Sequence, residues 1–149
     1  MFPLWLLLAC NSNTKTLPKP FTTAMLATQL FSVNTASDTL LHTLHGTVIR
    51  ITAGTFSITG IAEIKIQEAF TPVEMLAAGL TTESNGQPLR TGGMIYINAT
   101  VNGDSVGLVK PIKISIPNQY YDSAMQVFKG VETDSNTINW VEPQPTDTT

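Results

Sequence analysis

Apolar and polar residues alternate along much of this chain with the two-residue period of half-buried strands. Residues 61–70 show it well: Ile64 and Ile66 face one side, while Glu63, Lys65 and Gln67 face the other. In residues 111–116, Ile112, Ile114 and Ile116 alternate with Lys113 and Ser115, which predicts one buried and one wet face ended by Pro117. Residues 94–101 set Met94, Tyr96 and Asn98 opposite Ile95, Ile97 and Ala99. Val48, Ile49 and Ile51 form a β-branched run that Gly54 interrupts, and Phe56 and Ile58 then alternate with Thr55, Ser57 and Thr59. One broken strand or two short ones are expected there. Further strands are expected over 29–34, 38–41, 125–128 and 138–141.

Turn chemistry falls between these runs. Ser84, Asn85 and Gly86 spell one turn, and Asn102, Gly103 and Asp104 a second that lets residues 106–109 pair back as a hairpin. Asp134, Ser135 and Asn136 spell a third, and Gly92 with Gly93 mark a bend or bulge. One segment departs from the strand period. Thr71, Pro72, Val73 and Glu74 form a capping box with proline at the first helical position, and Gly79 supplies a left-handed residue to end the helix near Ala78. The sequence therefore predicts an all-β fold, a small β-sandwich of about nine short strands with one short capping helix over residues 72–78.

The start of the chain has a different pattern. Phe2 to Ala9 is an apolar run that leads directly into Cys10, the only cysteine, and Asn11 to Thr16 are polar. Leu7, Leu8, Ala9 and Cys10 resemble a bacterial lipobox, which implies that Cys10 carries a thioether-linked lipid and that the mature chain begins there. The run is far shorter than the roughly 20 apolar residues of a spanning helix. It also lacks the basic residue that usually precedes a signal's apolar core, so the natural start is expected to lie upstream. Pro18 and Pro20 within a polar stretch suit an extended tether. The expected organisation is a signal over 1–9, a tether over 10–28, a sandwich over 29–142 and a flexible tail over 143–149.

Charge narrows the function classes. The net charge is -3 and the eight basic residues are scattered singly, so no cationic stripe exists to neutralise nucleic-acid phosphates. A single cysteine excludes an intrachain disulfide and a multi-cysteine metal site.

Gly46-Thr-Val-Ile-Arg-Ile-Thr-Ala-Gly-Thr-Phe56, Ala62-Glu-Ile-Lys-Ile-Gln-Glu-Ala-Phe70 and Lys110-Pro-Ile-Lys-Ile-Ser-Ile-Pro117 together resemble uncharacterised lipoproteins of Bacteroidota. Met75-Leu-Ala-Ala-Gly79, Gly92-Gly-Met-Ile-Tyr96, Met125-Gln-Val-Phe-Lys-Gly130 and Ile138-Asn-Trp140 belong to the same pattern, which spans about residues 29–140. Relatives of that kind continue beyond the tryptophan segment, so further C-terminal sequence is expected. More remotely, the glycine-initiated strand and the Pro-Ile-x-Ile-x-Ile-Pro strand are similar to the β-sandwich domain shared by ankyrins, netrin receptors and zona-occludens proteins. That resemblance implies an interaction or spacer domain without a reaction.

Candidate chemistry is sparse. His42 and His45 suggest a metal pair, but an offset of three in a strand puts them on opposite faces, and they read as polar decoration. Asp134, Ser135 and Asn136 lack the glycine and distal glutamate of a calcium loop. No nucleophile elbow, phosphate loop or zinc-protease helix occurs, and Glu63, Glu68, Glu74 and Glu83 have no partner evident in sequence. Acids brought together only in space escape that test. Tyr120, Tyr121 and Trp140 are the candidate ligand-contacting residues, as a stacking platform for sugar rings, although Trp140 also suits a small β core. The expectation is a non-catalytic, lipid-anchored envelope protein, most readily in the outer membrane, with no cofactor and no metal. Its expected partners are the membrane through Cys10, and another envelope protein or a glycan.

Overall fold

The computed structural model describes residues 25–117, 122–133 and 137–146. In chain order the elements are β1 (Thr28–Asn34), β2 (Thr39–His42), β3 (Val48–Ile51), β4 (Ile61–Ala69) and α1 (Pro72–Ala77). Then follow β5 (Glu83–Ser84), β6 (Gln87–Pro88), β7 (Met94–Val101), β8 (Asp104–Ser105), β9 (Lys113–Ser115), β10 (Gln126–Glu132) and β11 (Ile138–Pro145). Among the described residues the fold is all-β with one short helix, as the alternation and the capping box predict. Every strand pair is antiparallel, in a four-stranded sheet β1-β4-β7-β8, a three-stranded sheet β2-β3-β9 and two ribbons, β5-β6 and β10-β11.

The two larger sheets share a core, which makes the fold sandwich-like. Val33 of β1 and Ala62, Ile64 and Ile66 of β4 meet Leu41 of β2 and Ile49 and Ile51 of β3, with Phe56, Ala99 and Val101 completing the cluster. Burying each large aliphatic side chain contributes about 1.5–3 kcal/mol, so this layer is the main source of cohesion. A smaller cluster of Leu26, Ala69, Met75, Ala78 and Met94 lies under the helix, with Leu80 and Trp140 packed against it. Strand β4 borders both clusters, because its alternate residues point to opposite faces of the sheet.

The helix forms as its caps predict. The Thr71 side chain accepts a bond from the Glu74 N–H at 3.2 Å, and Glu74 Oε2 accepts from the N–H groups of Thr71 and Phe70 at 2.8 and 2.9 Å. At the other end Gly79 N–H donates to the Leu76 carbonyl and Leu80 N–H to the Met75 carbonyl, with Gly79 at φ 66°. This is a Schellman closure, and it satisfies carbonyls that the helix leaves open. Gly93 has a different reason to be glycine: a Cβ there would run into the Phe70 ring, and its φ is 139°.

Several expectations need correction. Residues 111–116 form only the three-residue β9, and although Ile112 packs on the core, Ile114 and Ile116 remain 36% and 41% exposed. Among the described residues β9 is an edge strand paired only to β3, and Pro111 and Pro117 cannot donate N–H groups to extend it. After Gly54 no second strand forms: Phe56 makes one isolated bridge to Leu108, closed by the Val109 N–H donating to the Thr55 carbonyl and the Ser57 N–H to the Gly107 carbonyl. In the second hairpin the returning strand is Asp104–Ser105, directly after the two-residue turn, rather than residues 106–109. At the domain's edges, Leu26 and Thr28, expected in the tether, belong to the fold: Leu26 is buried in the smaller cluster and Thr28 begins β1. Strand β11 runs to Pro145, into the expected tail, and a two-stranded ribbon leaves an outer edge where proline costs no ladder bond.

Candidate functional site: a buried carboxylate at the end of the sandwich

On the inward face of β4 the series Ala62, Ile64, Ile66 continues to Glu68, whose side chain is 0% exposed. A carboxylate in that position is stable only when charge-directed hydrogen bonds replace its water. Three elements supply them. Gln29 lies opposite Ile66 in the β1–β4 register, two residues along the same face, and its Nε2 donates to Glu68 Oε2 at 3.0 Å. The turn joining β2 to β3 brings the Thr43 hydroxyl to Oε1 at 2.9 Å and His45 Nδ1 to Oε2 at 3.2 Å.

That turn is itself well determined. Thr43 N–H donates to the Thr47 carbonyl, Gly46 N–H to the Thr43 carbonyl, and Thr47 N–H to the Thr43 hydroxyl, with Gly46 at φ 84°. Gln29 Oε1 also accepts from Leu44 N–H at 2.8 Å, so one amide side chain ties the turn and the carboxylate to β1. His45 then reaches the helix. Its Nε2 lies 3.4 Å from Glu74 Oε1, and its ring stands edge-on to Phe70 at 5.5 Å.

The electrostatics follow from this geometry. Burial by itself pushes the Glu68 carboxyl up, but Thr47, Thr43, Gln29 and His45 together outweigh it and hold the group below the ordinary carboxylate range. Of these, the buried Thr47 hydroxyl acts without completing a hydrogen bond of standard geometry. Glu74 is also held low, first by the Thr71 N–H, against some burial, then by the Phe70 N–H, the Thr71 side chain and attraction to His45. A neutral imidazole carries one N–H and an imidazolium two, so only the charged ring donates to both carboxylates at once.

Chemically the array is occupied. Each Glu68 oxygen already accepts at least one bond, and no group of three His, Cys, Asp or Glu side chains suited to a metal occurs among the described residues. Its evident effect is positional, fastening β1, the β2–β3 turn and the start of α1 to the end of the sheet. The signal that could have found it was the charge at a core-parity position in the β4 alternation.

The residues singled out from sequence are dispersed. Cys10, Tyr120, Tyr121, Asp134, Ser135 and Asn136 lie outside the described residues. Trp140 is half-buried, its ring packs on the smaller cluster, and its Nε1 donates to the Thr81 carbonyl at 2.7 Å. His42 ends β2, whereas His45 sits in the following turn. Two shallow depressions mark the outward faces. One, of about 440 Å³, is lined by Leu40, Val48, Arg50, Lys113 and Ser115. The other, of about 450 Å³, lies between β1, β4 and the β7–β8 turn. No protein-family model, curated protein or solved structure matches this chain.

Proposed function

We propose that this chain is a lipid-anchored envelope protein whose β-sandwich serves as a non-catalytic interaction or spacer module. The observation that carries the reading is the position of the only cysteine, Cys10, at the end of the apolar run of residues 2–9 and before a polar stretch with Pro18 and Pro20. Each buried methylene contributes about 0.8 kcal/mol, so a cysteine bearing several acyl chains holds a protein far more firmly than one chain does. Asn11 after the cysteine does not resemble an inner-membrane retention residue, which favours the outer membrane. The lack of a catalytic motif in the sequence and the internal engagement of Glu68, His45 and Glu74 support a module that contacts rather than converts. The alternative, a glycan platform on Tyr120, Tyr121 and Trp140, draws less support because the Trp140 ring packs inward and its N–H is bound to Thr81.

Acyl labelling of the full-length chain in cells, with and without globomycin, tests the anchor. Label on the wild type, and an unlabelled, unprocessed Cys10→Ser variant, are the expected results. A Cys10→Ser chain that stays equally membrane-bound and equally processed would sink the reading.

A further inference from the structure

The four most exposed large apolar side chains among the described residues are Leu44 (78%), Val73 (76%), Leu76 (66%) and Met25 (65%). Single exposed apolar residues are ordinary, but these four fall on one end of the sandwich. That end is formed by the start of β1, the β2–β3 turn and α1, which follows the end of β4. Leu44 adjoins His45 and Val73 adjoins Glu74, and the 3.4 Å contact of His45 Nε2 with Glu74 Oε1 brings the turn and the helix together. Met25 precedes Leu26, which packs with Met75 and Ala78 on the inner face of the same helix.

A surface helix ordinarily turns polar residues outward. Here α1 buries Met75 and leaves Pro72, Val73 and Leu76 outside. Residues 25–29, 43–47 and 70–80 contain no lysine or arginine. Their one carboxylate, Glu74, is held by the N–H groups of Phe70 and Thr71 and by His45, so taking this surface out of water leaves no unpaired charge. The opposite end differs. Val109 is exposed there too, but Asp38 and Lys110 bond the Ala53 backbone and Asp104 pairs with Val101 beside it.

Where the chain enters the fold selects the occupant of the apolar end. Met25 lies on that end, and Cys10 precedes it by fifteen residues. That is at most about 50 Å of chain. A lipid on Cys10 therefore brings this end, rather than the one carrying Asp38 and Asp104, nearest the bilayer.

We propose that Met25, Leu44, Val73 and Leu76 seat this end of the sandwich in the interfacial layer of the bilayer that holds the lipid on Cys10. The proposal rests on the anchored reading above and adds an orientation to it, with the helix end against the membrane and the Asp104 end outward. Four partly inserted side chains bind a membrane weakly on their own, and the tether turns that contact into an intramolecular one.

The test couples Cys10 of the full-length chain, its only thiol, to a maleimide lipid in phosphatidylcholine vesicles and follows amide exchange. Relative to the same chain free in solution, exchange at residues 43–47 and 72–77 is expected to slow about tenfold, with no change at residues 102–105 of the opposite end. Leu44→Ser combined with Leu76→Ser should lose the slowing yet keep the wild-type melting temperature, since both side chains are already exposed in the free fold. No slowing, slowing that survives in the double variant, or equal slowing at residues 102–105 would each overturn the proposal. Slowing that appears without vesicles as protein concentration rises would assign the surface to a second copy of the chain and overturn it as well. The maleimide link replaces cellular acylation, so failure of the anchor and failure of this docking surface are read separately.

Discussion

Strand β4 buries one face in two chemically opposite ways. Ala62, Ile64 and Ile66 enter an apolar layer shared by two sheets, where cohesion is non-directional and scales with the area hidden from water. Two residues further, Glu68 is as deeply buried, yet it is held by donors that must each be in place. The apolar region tolerates changes that preserve volume, whereas the polar region tolerates few, because a partner lost there leaves a buried polar group unsatisfied. The difference also separates roles: the first region holds the sheets together, and the second sets where the β2–β3 turn and the helix sit.

Substituting at both positions sharpens this contrast. Ile66→Ala is expected to cost about 2–5 kcal/mol, the largest effect, as the lost transfer energy adds to a cavity that the sheets cannot close. Glu68→Gln is nearly isosteric, but it turns an amide NH2 toward groups that were donating, and about 1–3 kcal/mol is expected. Urea denaturation measures both, and amide exchange distinguishes them. Ile66→Ala should accelerate exchange throughout the two larger sheets, while Glu68→Gln should do so first at residues 43–47 and 70–74. Indistinguishable exchange maps would break the comparison.

Trp140 combines both kinds of burial in one side chain. Its ring lies on the cluster of Leu26, Ala69, Met75, Ala78 and Met94, and its N–H bonds the Thr81 carbonyl. Trp140→Phe keeps most of the apolar contact and deletes the bond, so a cost of about 1 kcal/mol is expected. The faster exchange should be confined to the β10–β11 ribbon, where the Asn85–Asn139 bonds form another attachment to the β5–β6 turn.

How far the sequence foretells this molecule depends on where each signal is written. Alternation in residues 61–66 and 94–101 and the capping box at Thr71 are local, and the strands and helix appear where those residues predict. The isoleucines of residues 112–116 carry an equally clear pattern, yet only Ile112 reaches the core, because burial depends on whether another strand lies beyond β9. The Glu68 array is harder still. Its donors come from Gln29, Thr43 and His45, 39, 25 and 23 residues away, and no spacing rule links them. Glu74 was legible only as a helix cap, although its other oxygen faces His45 across the fold.

The pH dependence of stability gives the finest cut between the two regions. The Glu68 and Glu74 carboxyls are held below their ordinary values, so each binds its proton less readily in the folded chain than in the unfolded one. Their contribution is fully present above the ordinary carboxylate pKa and is lost as pH falls through the lower, folded-state values. Glutamine mimics the protonated carboxyl, so Glu68→Gln has already lost the Glu68 share at neutral pH. The stability gap between wild type and Glu68→Gln is therefore expected to shrink as pH is lowered from about 7 to about 3, a range that spans ordinary carboxylate titration. The gap between wild type and Ile66→Ala should stay nearly constant, since both keep the same carboxyls. Urea midpoints for the three chains at a series of pH values measure this. A Glu68→Gln gap that does not change with pH would mean that the buried carboxylate gains nothing from its charge, and that shape alone holds the turn and the helix in place.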